Sequence, residues 1–138
     1  MIRAVLDTNV LVSALLKPAS TPRNVLRMGL AGTFQIVVSP AVFNEYQFVL
    51  PRPELKLAPK EVADALEQLR THAHWVEPTD RITSSPHEPD NRFLECARAS
   101  QAAYLITGNK RHFPRRLGTT KVIGPREFLE ILTPDPKR

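Results

Sequence analysis

A short run of strand-forming residues near the N-terminus ends at an acidic residue. Residues 2–6 predict a buried strand, Asp7 follows it directly, and a helical pattern begins at once over residues 8–16. In an open parallel sheet the ligand crevice lies beyond the carboxyl ends of the strands, so Asp7 stands where a functional carboxylate is expected. Asp is also a preferred helix N-cap, and this stretch alone leaves both interpretations open.

Strands and helices alternate along the rest of the chain. Further strands are predicted at residues 34–38, 103–106 and 120–123, with a short strand at 75–76, some strand character at 81–83 and a basic loop or short helix at 110–116. Helices are predicted at residues 22–31, 40–50, 59–74, 90–101 and 125–132. This rhythm predicts a three-layer α/β/α fold with a mostly parallel central sheet. No linker divides the chain, so we expect a single domain over residues 1–133 and a frayed tail over 134–138.

Bulk properties narrow the class of protein. The chain has 138 residues, the size of one domain, and a net charge of +5, which favours an anionic partner such as nucleic acid or an acidic protein. Cys96 is the single cysteine, which excludes an intrachain disulfide and fits a reducing cytoplasm. No apolar run approaches the roughly 20 residues that span a bilayer, and Asp7 interrupts the N-terminal apolar stretch, so we expect a cytoplasmic protein without a membrane segment or signal peptide.

Polar side chains fall at equivalent places after several predicted elements. Asp7 follows the first strand, and Glu45 lies early in the helix after the second strand. Asp90 opens a later helix, and Asn109 closes the strand at 103–106. Parallel topology would bring all four to one edge of the sheet, where hard oxygen ligands suit Mg²⁺ or Mn²⁺. Taken singly, Glu45 also fits a solvent-facing residue and Asp90 a helix cap.

Four segments, in this order, resemble the PIN-domain nucleases. They are residues 5–10, Ser39-Pro40 with Glu45, residues 90–97 and residues 104–109. The resemblance covers nearly the whole chain and implies a PIN-like fold. The chain is most similar to the prokaryotic, VapC-like PIN proteins that are classed as toxins of toxin–antitoxin pairs, and this implies an antitoxin partner and a homodimer.

The resemblance further implies a metal-dependent endoribonuclease that cuts single-stranded regions of RNA and leaves a 5′-phosphate and a 3′-hydroxyl. Asp7, Glu45 and Asp90 match the family's acids, which would hold Mg²⁺ or Mn²⁺. The register at the third acid is uncertain by one residue, and Glu88 or Glu95 could also approach the site. The positions that match the family's supporting polar residues are Thr8, Asn9 and Thr107.

Asn109 departs from the family pattern, which has a fourth acid there. An amide oxygen can still coordinate a divalent cation but brings no charge, so we expect weaker metal affinity than in a four-acid relative. Two other functions therefore stay open. One is a catalytically weak module that binds RNA or protein, and the other is a regulatory α/β domain whose acids only cap helices.

Basic residues follow the predicted site. From Cys96 through Arg126 there is no Asp or Glu, but there are seven Lys and Arg. We expect this surface to contact RNA phosphates, which positions a strand without reading its sequence. A solvated surface, or one covered by an acidic antitoxin, would leave the same pattern. The residues expected to bind nucleic acid are Lys110, Arg111, Arg115 and Arg116.

Overall fold

A six-stranded sheet forms the centre of the computed structural model, which describes residues 1–133. The strands are β1 (Arg3–Leu6), β2 (Gln35–Val38), β3 (His74–Trp75), β4 (Tyr104–Ile106), β5 (Arg116–Leu117) and β6 (Thr120–Ile123). Their order is β3-β2-β1-β4-β6-β5, and every pair is parallel except β5–β6. The predicted α/β fold with a mostly parallel sheet is confirmed. The tail predicted at 134–138 lies outside the described residues.

Within residues 1–133, six α-helices pack around the sheet. They are α1 (Thr8–Leu16), α2 (Thr21–Leu30), α3 (Pro40–Val49), α4 (Pro59–His72), α5 (Glu88–Ser100) and α6 (Pro125–Leu132), with 3-10 turns at Pro53–Leu55 and Lys110–His112. Ser20 and Ser39 cap α2 and α3, because each hydroxyl accepts a hydrogen bond from a backbone N–H in the first turn. No helix within residues 1–133 is long and apolar enough to cross a bilayer.

The central strands are buried on both faces. Ala4, Val5 and Leu6 of β1 are wholly inaccessible, as are Leu105 and Ile106 of β4. Continuous apolar runs of this kind are typical of parallel strands that helices cover on both sides. Because these strands are fixed in the core, the residues that follow their carboxyl ends are held in defined positions.

Helix α5 begins earlier than the sequence predicts. It starts at Glu88 with Pro89 in its first turn, so Asp90 lies inside that turn and is not the cap. Proline is favoured at the first helical positions, since its missing N–H has no partner there in any case. The interpretation of Asp90 as an N-cap is therefore wrong.

The segments 81–83 and 110–117 also differ from prediction. Residues 81–83 are not a strand; Ile82 is buried, and its N–H donates to the Glu95 carboxylate at 2.8 Å. The basic segment contains a 3-10 turn and then β5, which pairs with β6 through a tight turn. Gly118 in that turn has a φ of +57°, a conformation that glycine adopts without steric cost.

We predict that Gly29→Ala destabilises the fold although alanine favours helices. A Cβ on Gly29 of α2 would lie 2.5 Å from Ile36 Cδ1 and 2.8 Å from Phe34 Cζ, both in the packed core. Overpacking costs about 1–3 kcal/mol, which exceeds the gain of about 1 kcal/mol in helix propensity. Urea unfolding measures the difference. Asn24→Ala, at an exposed position of the same helix, is the control and should not destabilise.

Candidate active site

Asp7 lies at the carboxyl end of β1, at the N-cap position of α1. Its side chain makes no capping hydrogen bond. Instead, Oδ2 accepts a hydrogen bond of 2.7 Å from the Thr107 hydroxyl, and the Asp7 N–H donates to the Ile106 carbonyl at 2.9 Å. The carboxylate is thus tied to the end of β4, and the interpretation of its side chain as a helix cap is wrong.

Thr107 and Asn9 join the ends of β1 and β4. The Thr107 hydroxyl accepts a hydrogen bond from the Asn109 N–H at 3.0 Å while it donates to Asp7. Asn9 Oδ1 accepts from the Gly108 N–H at 3.0 Å. Thr107 and Asn9, two of the three predicted supporting residues, therefore hold the segment after β4 against the start of α1, which fixes where Asn109 lies.

A cleft of about 340 Å³ opens at this edge of the sheet. Its walls include all four residues predicted to form the site, together with the predicted supporting residues Thr8 and Asn9. Glu45 is half-buried on α3, whereas Asp7 and Asp90 are only 7% and 6% exposed. The arrangement brings together Asp7, Glu45, Asp90 and Asn109.

Burial governs the charge of the two aspartates. It raises the pKa of Asp7 to about 6; the Thr107 hydrogen bond opposes this rise, and the nearby Asp90 carboxylate adds to it. Burial also raises the pKa of Asp90, with His87 and His112 acting in the opposite direction and Glu45 adding to the rise. Two carboxylates whose charges repel in a desolvated cleft create a site that favours a cation.

Oxygen atoms without protein partners line the same cleft. Among residues 1–133, Asp90 Oδ2 and Thr8 Oγ1 are buried and accept or donate no hydrogen bond. The His112 Nδ1 atom lies 3.6 Å from Asp90 Oδ2, beyond hydrogen-bonding distance. Because buried polar atoms are normally satisfied, these two point to a ligand or ordered water in the cleft.

The donor set fits a hard divalent cation that keeps part of its water shell. No three His, Cys, Asp or Glu side chains within residues 1–133 converge closely enough to form a complete metal site. Mg²⁺ is usually held by only one or two carboxylates, with water and substrate phosphate as its other ligands. Asp7 and Asp90 supply that number of recessed carboxylates, with Glu45 and the Asn109 amide at the wall of the cleft.

Two histidines line the cleft that the sequence did not assign to it. They are His87 and His112. His112 Nε2 lies 3.0 Å from Asn109 Nδ2, and the two histidine rings are 5.8 Å apart between centroids. The spacing of three residues between Asn109 and His112 was the available signal, but it indicates proximity only once the 3-10 turn is known.

Neither Glu88 nor Glu95 lines the cleft, so these alternatives to Asp90 are not favoured. Glu95 is buried, accepts from the Ile82 N–H and forms an ion pair of 3.0 Å with Arg92. Glu88 is exposed and pairs with Arg92 and Arg81. Glu95 thus anchors the loop before α5.

Three of the four predicted basic residues border a second depression of about 500 Å³. One of its lining residues, Lys110, directly follows Asn109 in the sequence. Glu127 also lines the depression and forms an ion pair of 2.7 Å with Lys110. Arg116 is exposed on β5 and does not line the depression. Lys121 was not among the predicted residues, but it lines the depression. The basic side chains that surround the depression are Lys110, Arg111, Arg115 and Lys121.

We predict that Asp7→Asn stabilises the metal-free protein above pH 6. Because the folded state binds a proton at Asp7 more tightly than the unfolded state, the free energy of unfolding falls as the pH rises from about 4 to about 6. An amide carries no charge and removes this loss, a gain of about 1–3 kcal/mol at pH 7.5. Thermal unfolding in EDTA measures it. Asp64→Asn on the exposed face of α4 is the control, and equal melting temperatures for both variants would contradict the prediction.

Comparison with known proteins places this chain in a family. The family model of the PIN domain matches residues 3–111. The uncharacterized protein MJ1680 of Methanocaldococcus jannaschii is 28% identical over 112 residues, which are 79% of this chain and 72% of that protein. The fold is similar to the crystal structure of VapBC2 from Rickettsia felis bound to a DNA fragment from their promoter. The TM-score is 0.59 at 19% identity, over 89% of this chain and 98% of that one. The chain belongs to the PIN-domain family.

Proposed function

We propose that the protein is a divalent-metal-dependent endoribonuclease that hydrolyses phosphodiester bonds in single-stranded regions of RNA. The observation that carries the proposal is that three acids line one cleft of a PIN-domain chain. Those acids are Asp7, Glu45 and Asp90, and Asn109 lies beside them. We further propose that the protein is the toxin of a toxin–antitoxin pair in the cytoplasm.

The residues of the cleft divide the work of a hydrolase. A bound Mg²⁺ or Mn²⁺ would activate water and offset the charge that develops on the phosphoryl group. Thr107 holds Asp7 in one orientation, and the unpartnered Oδ2 of Asp90 is available to a ligand. Preorganised carboxylates of this kind need little rearrangement when the cation and the phosphate arrive.

The depth of the acids supports a single-stranded substrate. Since Asp7 and Asp90 are almost fully buried, a phosphodiester has to enter the cleft to reach them. A flexible single strand can enter, whereas a duplex holds its backbone in a regular helix. The basic depression next to the cleft supplies cationic side chains for the flanking phosphates, which favours RNA binding of any sequence.

The toxin role is supported by the likeness to VapBC2 of Rickettsia felis. A cognate antitoxin with an acidic segment would suit the basic depression and the net charge of +5. A homodimer is part of the same proposal.

We predict that Asp7→Asn lowers Mg²⁺- or Mn²⁺-dependent cleavage of single-stranded RNA by at least about 100-fold, because even outer groups of metal sites cost about 10–100-fold when they are changed. Product formation on a labelled oligonucleotide measures the rate, and Asp64→Asn is the matched control, expected to keep full activity. Cleavage that survives both Asp7→Asn and EDTA would refute the proposal.

One observation favours a second candidate, a catalytically weak module that binds RNA or protein. Asn109 is neutral where the family pattern has an acid, and its amide nitrogen contacts His112 rather than a carboxylate. Such a module would bind RNA in a salt-sensitive way and yield no metal-dependent products, so the cleavage assay separates the two candidates.

We predict that Asn109→Asp tightens Mn²⁺ binding about tenfold, which corresponds to about 1.4 kcal/mol, because it adds one negative charge at the cleft. Isothermal titration calorimetry measures both proteins. Asn24→Asp adds the same charge at an exposed position of α2 and should leave the affinity unchanged. Equal affinities for the wild type and Asn109→Asp would show that the neutral amide does not limit metal binding.

A further inference from the structure

An aromatic ring stands in solvent beside the cleft. Phe48, near the end of α3, is 69% exposed. The other exposed large apolar side chains within residues 2–133 are less accessible, with Leu16 next at 49%. A single exposed ring beside a proposed active site suggests a role in contacting a ligand.

The position of Phe48 connects it to the acids. Glu45 lines both the cleft and an adjoining open depression of about 610 Å³, which Phe48 also lines. The two residues are three positions apart on α3, so they lie on neighbouring parts of one face, about 4.5 Å apart along the helix axis. A single-stranded RNA that leaves the cleft past Glu45 would therefore reach Phe48 next.

The surroundings of the ring are charged and polar. The Arg52 guanidinium carbon lies 4.8 Å from the centroid of Phe48, a cation–π contact. Arg52 has no ion-pair partner among the side chains of residues 1–133. Asn44 and Gln47 contribute amide groups to the same depression. Aromatic, guanidinium and amide groups together match the faces, phosphates and edges of unpaired nucleotides.

We propose that Phe48 and Arg52 form a stacking platform for an unpaired base next to the phosphodiester in the cleft. The base stacks on the Phe48 ring, and Arg52 contributes cation–π attraction and a charge for the adjacent phosphate. The inference rests on the proposed function, because it names how the RNA substrate is held. Stacking of this kind accepts any base, so the platform adds affinity for single strands without a preference for sequence.

A second copy of this chain is the other occupant to consider. Interfaces between copies are rich in apolar surface at their centre, whereas Phe48 is bordered by Arg52, Asn44 and Gln47. Glu45 lines both the cleft and the adjoining open depression, so the Phe48 ring lies next to the cleft. These features favour a nucleotide.

The test compares Phe48→Ala, Phe48→Trp and the control Leu16→Ala, whose exposed side chain lies at the other end of α1 from Asp7. In EDTA, fluorescence anisotropy measures binding of a single-stranded RNA. We expect Phe48→Ala to weaken binding about tenfold, with Phe48→Trp and Leu16→Ala close to the wild type. In Mg²⁺ or Mn²⁺, Phe48→Ala should raise KM by a similar factor with kcat within about twofold.

An abasic nucleotide scanned along the RNA locates the platform. At one position, the abasic nucleotide should weaken RNA binding to the wild type. It should not weaken binding to Phe48→Ala, because that variant lacks the ring on which the base stacks. Equal RNA affinities for Phe48→Ala and the wild type, with cleavage intact, would overturn the platform and leave the proposed function standing. If the wild type shows the abasic effect but no metal-dependent cleavage, the platform stands and the proposed function is overturned. A dimer that becomes a monomer on Phe48→Ala in sedimentation velocity would assign the ring to a second copy and overturn the inference.

Discussion

The pairing of β1 with β4 determines where Asp7 lies in the cleft. Asp7 and Thr107 are 100 positions apart in the sequence, yet the parallel register places them at the same edge of the sheet, where they share a hydrogen bond. Both strands are buried, so the positions of their carboxyl ends follow from core packing. The chemistry of the cleft thus depends on hydrophobic burial several residues away from it.

Holding carboxylates in this place works against the stability of the fold. Asp7 and Asp90 are removed from water and repel each other, and the hydrogen bond from the Thr107 hydroxyl is the largest compensation for the Asp7 carboxylate. Groups kept in such a state are common at functional sites, where binding of a ligand relieves the strain that folding creates. The unpartnered Oδ2 of Asp90 belongs to the same pattern.

The sequence predicted those parts that local patterns encode. Apolar runs that end at Asp7 and Thr107 gave the parallel strands, and the serine–proline start of α3 gave its register, so the site positions followed from topology. The remainder depends on partners that are distant or outside any regular pattern. Glu95 can be buried because the Ile82 N–H and the Arg92 guanidinium satisfy its carboxylate. No local sequence pattern indicates either of these partners.

Short elements and the exact starts of helices could not be predicted from sequence patterns. A two-residue strand such as β5 is too brief to show an alternating pattern, and the place of Asp90 within α5 turned on where Pro89 starts the helix. His112 joins the cleft through a 3-10 turn, which has no strong sequence signature of its own. Phe48 reads as an ordinary apolar residue of a helix until its exposure is known.

The two ends of the sheet carry a consequence for assembly. Both edge strands, β3 and β5, are only two residues long, so each offers few free backbone groups to a neighbouring chain. Proteins often blunt their edges in this way, which disfavours growth of the sheet from one molecule into the next. Short edges of this kind favour self-association of this protein through surfaces other than the edges of its sheet.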